Sequence, residues 1–70
     1  MKNKTSNNQK KPRAKLIGAD SNMFNLLGIA SGALKKAGLG DKSREMIDRV
    51  HKSSSFDEAL CIIGEYVDVY

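Results

Sequence analysis

"SNMFNLLGIASGALKKAGLG", residues 21 to 40, decides how this chain is read. From Met23 onward apolar residues stand at 23, 26, 27, 30, 33, 34 and 37, the spacing that lines one face of a helix. Asp20, Ser21 and Asn22 precede the run, and all three are good N-cap residues. It stops at Gly38 with Leu39 behind it, the pattern of a helix that ends on glycine while the next apolar residue folds back on the last turn. Gly28 and Gly32 lie inside the run, each at a cost of about 1 kcal/mol against alanine. "GIASGALKKAG" lacks the GKS or GKT ending of a phosphate-binding loop, and the apolar period passes straight through it, so both glycines belong to the helix.

Wound at roughly 100 degrees per residue, this helix centres Met23, Leu27, Ala30 and Leu34 on its core face. Asn25, Gly28, Ile29, Gly32 and Lys36 fall on the far side and form a candidate protein-contact strip. Glycines at i and i+4 open a shallow groove there, where another backbone can approach. Its expected occupant is the third helix or the "KLI" segment of the same chain. The alternatives are a partner or second copy, or an empty strip that the fold tolerates.

Downstream, Asp41 is placed to cap a second, shorter helix with Met46, Ile47 and Val50 as a narrow apolar stripe beside Leu39. "HKSSS" interrupts it. Ser55 with Glu58 three residues later is a capping box, and Phe56, Ala59, Leu60, Ile63, Tyr66, Val67 and Tyr70 then share one face of a third helix. That helix is expected to reach about Val67, although "YVDVY" also alternates as a strand would and could pair with "KLI". Upstream, "AKLIGAD" (Ala14 to Asp20) reads as an extended arm with a short strand near residues 15–17. The expected fold is mainly α, three short helices around one core.

Charge is distributed unevenly. Lys2, Lys4, Lys10, Lys11, Arg13 and Lys15 put six cations and no acid into the first fifteen residues, while the remainder carries six basic against eight acidic side chains. "MKNKTSNNQKKPR" has no aliphatic or aromatic residue after Met1, so residues 1–13 are expected to be a disordered basic tail on a single domain at 14–70. An export signal would need an apolar run after the basic start, and a membrane span roughly 20 apolar residues. Neither pattern occurs in the sequence, so the expectation is a cytoplasmic protein without a membrane partner. The single cysteine, Cys61, allows no intrachain disulfide. A chain of 70 residues has little core, and it folds alone only if nearly all of its apolar side chains contribute; a homodimer or a bound protein would relieve this.

"LIGAD" followed by Asn22 and Phe24, then "LLG" (Leu26 to Gly28), "KKAG" (Lys35 to Gly38), "SSSFDEAL" (Ser53 to Leu60) and "EYVDV" span Leu16 to Val69. In these motifs the chain resembles a family of small uncharacterised proteins encoded by bacterial phages and conjugative mobile elements. The resemblance implies a bacterial cytoplasmic accessory protein of a mobile element, with no assigned activity.

Chemistry narrows the reading further. His51 and Cys61 are the only members of their kinds, and Cys61 falls opposite the Phe56, Ile63, Val67 stripe, near Asp57, Glu65 and Asp68, whose carboxylates oppose thiolate formation. A metal site needs three or four converging ligands; Asp48 and His51 at i and i+3 supply at most half of one. No catalytic residue, metal or cofactor is therefore expected, and the chain reads as a non-enzymatic interaction protein. The alternative is weak, sequence-independent nucleic-acid binding through Lys2, Lys4, Lys10, Lys11, Arg13 and Lys15. No helix offers a clean basic reading face: the third carries only acids, and in the second Lys42, Arg44, Arg49 and Lys52 are diluted by Asp41, Glu45 and Asp48.

Overall fold

The computed structural model describes residues 11–70. Chain order is strand β1 (Arg13–Ala14), helix α1 (Met23–Lys36), helix α2 (Gly40–His51), helix α3 (Phe56–Tyr66) and strand β2 (Asp68–Val69). The protein is mainly α, as the periodicity predicts.

Asn22 is the residue that caps α1, its side chain accepting a hydrogen bond from the Phe24 amide at 2.8 Å. At the other end Gly38, at φ 79°, takes the left-handed conformation open to glycine. The Leu39 amide then reaches back to the Leu34 carbonyl at 2.8 Å and the Gly38 amide to that of Lys35 at 3.0 Å, a Schellman ending. This turn feeds the chain directly into α2. The α2 helix starts at Gly40 and has Leu39 as its cap, without a side-chain hydrogen bond. Asp41 is therefore not the cap expected from sequence; it sits in the first turn, where the helix dipole favours its charge. Ser55 caps α3 by accepting from the Glu58 amide at 3.0 Å, and Glu58 returns the bond one residue early, accepting from the Ser54 amide and hydroxyl.

Core residues come from β1, all three helices and the segments that flank the strands, but not from β2 itself. Leu34, Met46 and Ile63 are the largest fully buried side chains of the three helices, and Leu26, Leu27, Ala30, Val50, Ala59 and Ile62 pack around them. The predicted α3 face holds for Ala59, Leu60, Ile63, Tyr66 and Val67, which are buried or packed on the core; Ile62 joins it, while Phe56 at the start of the helix and Tyr70 beyond its end are exposed. Between α1 and α2 the buried hydroxyls of Ser31 and Ser43 meet at 2.5 Å. Each is the other's polar partner in an apolar seam, and small side chains there let the two helices approach.

Ser43→Ala is expected to cost about 1 kcal/mol, because it strands the Ser31 hydroxyl in that seam. Ser31→Ala combined with Ser43→Ala removes both groups and should restore part of the loss. Urea unfolding of the two single variants and the double variant checks this.

α3 ends without glycine or proline. Val67 turns extended, at φ −135° and ψ 154°, and buries its side chain. β2 then pairs in parallel with β1, Arg13 opposite Asp68 and Ala14 opposite Val69, and the Tyr70 carbonyl accepts from the amides of Leu16 and Ile17. The strand thus lies at 13–14, ahead of the predicted 15–17, because Ala14 and Leu16 are the residues whose side chains face the core. The tail boundary shifts with it. Residues 11–13 belong to the fold: the Pro12 carbonyl accepts from the Asp68 amide at 2.8 Å, and Lys11 Nζ donates to the Gly64 carbonyl at 2.8 Å. Disorder expected for residues 1–10 falls outside the described residues. No helix among the described residues is long and apolar enough to cross a membrane.

Candidate protein-interaction surface

The glycine strip is where the sequence places a partner, and its geometry is simple. Gly28 and Gly32 face outward, and a β-carbon built on either meets nothing within 4 Å. Neither α3 nor the "KLI" segment fills it, contrary to expectation, because both pack on other sides of α1. Asn25 is used locally, its side-chain amide donating to the Asp20 carbonyl at 2.9 Å to hold the turn before the helix. Ile29 is half-buried against the core, and Lys36 is exposed at the last turn. The strip is bare and mostly polar at its ends.

A different surface is apolar. Phe24 is 81% exposed, Ile17 71%, Phe56 46% and Val69 44%. Three of them arise for local reasons. Gly18 at φ 88° turns the chain so that the Ala19 amide bonds the Leu16 carbonyl at 3.1 Å, which leaves Ile17 at the tip. Phe24 stands one position off the buried stripe of α1, and Phe56 begins α3 before the helix has reached the core. Helices α1 and α3 start at the same end of the bundle, so these residues share a neighbourhood.

Recesses between them are continuous. A groove of about 250 Å³ is lined by Leu16, Ile17, Leu26, Phe56, Leu60 and Val69, with Ala19 and Ser21 at its edge. Phe56 also borders a second recess with Met23, Val50, Ala59 and the serines Ser53, Ser54 and Ser55, and Met23 and Val50 in turn border a third beneath Phe24 and beside His51. The result is an apolar band across one end of the molecule, interrupted in its middle by the three serines. Sequence reasoning missed it, yet a signal was present: Phe24 is the aromatic residue that the periodic set 23, 26, 27, 30, 33, 34, 37 leaves out.

Polar contacts lock the opposite flank. Arg49 grips Glu65 with two hydrogen bonds, at 2.7 and 3.2 Å, and donates to the Tyr66 hydroxyl at 3.2 Å. That hydroxyl donates to Glu45, so α2 and α3 are tied by four side chains. The Arg49 hydrogen bonds hold the Glu65 carboxyl below its ordinary 4.5, and the Ser54 hydroxyl does the same for Glu58. Burial, then the bond to Glu45, pushes the Tyr66 phenol above 10.0.

A lowered carboxylate pKa stabilises the fold above the unfolded value and loses that contribution as pH falls; a raised phenol stabilises below its unfolded value and loses it as pH rises. Stability is therefore expected to be flat between the two ordinary values and to fall below 4.5 and above 10.0. Urea midpoints across pH check it, and Glu65→Gln should flatten the acid limb.

The basic residues at the amino end divide. Lys11 bonds Gly64 and lies 4.0 Å from Asp68, and the Arg13 guanidinium stacks 4.2 Å over the Tyr70 ring. Lys15 is exposed, and Lys2, Lys4 and Lys10 lie outside the described residues. Two of the expected phosphate contacts are thus engaged by the fold itself. Asp48 pairs with Lys52 at 3.1 Å, one turn along α2, while His51 and Cys61 are both exposed on separate helices. Among the described residues no three His, Cys, Asp or Glu side chains gather as a metal site would require.

Comparison with protein-family models, with curated proteins and with solved structures finds no match.

Proposed function

We propose that the protein is a non-enzymatic interaction module whose working surface is the apolar band around Phe24 and Phe56. The observation that carries this is the exposure of Phe24, 81% in a chain with only two phenylalanines. A soluble chain gains nothing from leaving an aromatic side chain in water, and contiguous exposed apolar area is the usual mark of a protein contact. Apolar recesses beside projecting aromatics resemble the core of an interface, where aromatic anchors dominate binding. The resemblance carried by "LIGAD", "SSSFDEAL" and "EYVDV" supports an accessory role in a bacterial phage or conjugative element, in the cytoplasm.

The test is a photo-crosslinking phenylalanine analogue placed at position 24 and activated in cells. Polypeptide adducts formed at this position, and absent when the analogue replaces Lys36 on the glycine strip, are expected. Nucleic-acid adducts, or none, would overturn the reading.

A further inference from the structure

We infer that the outer face of the strand pair is a contact site for single-stranded nucleic acid, in which Lys11, Arg13 and Lys15 take backbone phosphates and the Tyr70 ring takes a base. The inference stands apart from the apolar band and draws nothing from it. Side chains alternate across an extended segment, and here the alternation is clean: Ala14 and Leu16 are buried, whereas Lys11, Arg13 and Lys15 are exposed. The three cations therefore share the side turned away from the core. At about 3.3 Å per residue they span roughly 13 Å, the length of a few nucleotides at about 3.4 Å each. No acid interrupts the first fifteen residues, so in sequence the row continues the charge of Lys2, Lys4 and Lys10.

An aromatic ring completes the row. The register of β2 against β1 brings Tyr70 beside Arg13, whose guanidinium lies 4.2 Å over the ring, and Tyr70 is still 44% exposed. Cations that follow phosphates next to an aromatic face on which a base can stack are how proteins hold single strands without reading their sequence. A paired base stays inside the duplex, so the ring favours the single strand. The same pairing supplies a competitor for the cations. Asp68 stands opposite Arg13 and 4.0 Å from Lys11, whose ammonium also donates to the Gly64 carbonyl. Glu65, the other carboxylate that feels Lys11, is gripped by Arg49. A phosphate must displace Asp68 to reach both cations, so Asp68 keeps the affinity low and sensitive to salt.

Fluorescence anisotropy of a short labelled single-stranded DNA of mixed sequence, titrated with the full chain at several salt concentrations, tests this. Saturable binding at low salt is expected. Lys15→Gln should lower the slope of log affinity against log salt by roughly 0.7, the share of one phosphate contact, whereas Lys36→Gln, the same charge change at an exposed position of α1, should leave the slope as it is. Tyr70→Ala should weaken binding about fivefold or more, and Tyr70→Phe, which keeps the ring, should bind as the parent does. Asp68→Asn should tighten binding about threefold, beyond the effect of Asp57→Asn, which removes the same charge from the first turn of α3. Should Tyr70→Ala lose the helical circular dichroism of the parent, the lysine and aspartate pairs decide the matter. No binding at low salt, equal slopes for the two lysine variants, equal affinities for two folded Tyr70 variants, or equal effects of the two aspartate variants overturns the proposal.

Discussion

Leu34→Ala is expected to leave the domain largely unfolded at physiological temperature. Leu34 is 1% exposed and stands where α1 meets the rest of the core, and its carbonyl anchors the turn into α2. Truncating a buried leucine removes transfer free energy and leaves a cavity, together about 3 kcal/mol and up to about 5. A single core of this size supplies about 3–5 kcal/mol in total. The loss therefore consumes most of the stability, and neighbours cannot collapse into the gap because α1 is pinned at both ends by its caps. Thermal unfolding followed by circular dichroism should show a broad transition at low temperature, or none. A transition close to that of the parent would mean that Leu34 is not central to the core.

Gly28→Ala together with Gly32→Ala is expected to do the opposite. Both positions lie inside α1, and a β-carbon at either has nothing within 4 Å. Each replacement recovers about 1 kcal/mol of helix propensity with no clash to offset it. For a domain of this length 1 kcal/mol moves the midpoint by about 4–8 °C, so the pair should raise it by roughly 8–16 °C. Should the double variant unfold, the strip would have to be packed against something. The sequence alone presents these glycines as a groove awaiting an occupant; the fold leaves them uncovered.

What the sequence made legible was mostly local. The apolar period of residues 23–37, the cap at Ser55 and the Gly38–Leu39 ending act through neighbours a few residues apart and appear where expected, and of the three cap candidates Asp20, Ser21 and Asn22 the last is the one used. Features that need two elements at once were hidden. Ser31 and Ser43 look like ordinary helix serines until α1 and α2 are laid side by side. Phe56 reads as core from its spacing, but it is the first residue of α3 and stays half exposed, while Ile62, outside the predicted stripe, is buried. The register of β1 depends on where α3 stops, and nothing in "YVDVY" says whether the break falls before or after Val67. Phe24 was overlooked because periodicity finds what is buried and is silent about what is left out.

The parallel pairing of β1 with β2 reaches across 55 positions, from Arg13 to Asp68. Parallel strands need a crossover, and here the crossover is the whole helical bundle. Closing so long a loop costs entropy that only the assembled helices offset, so this contact forms last and opens first. During synthesis the bundle can take shape on the ribosome while its clasp waits for Asp68 to Tyr70 to emerge. Hydrogen exchange should find the amides of Asp68 and Tyr70 the least protected of the bonded set, a breathing seam in a molecule whose centre stays shut.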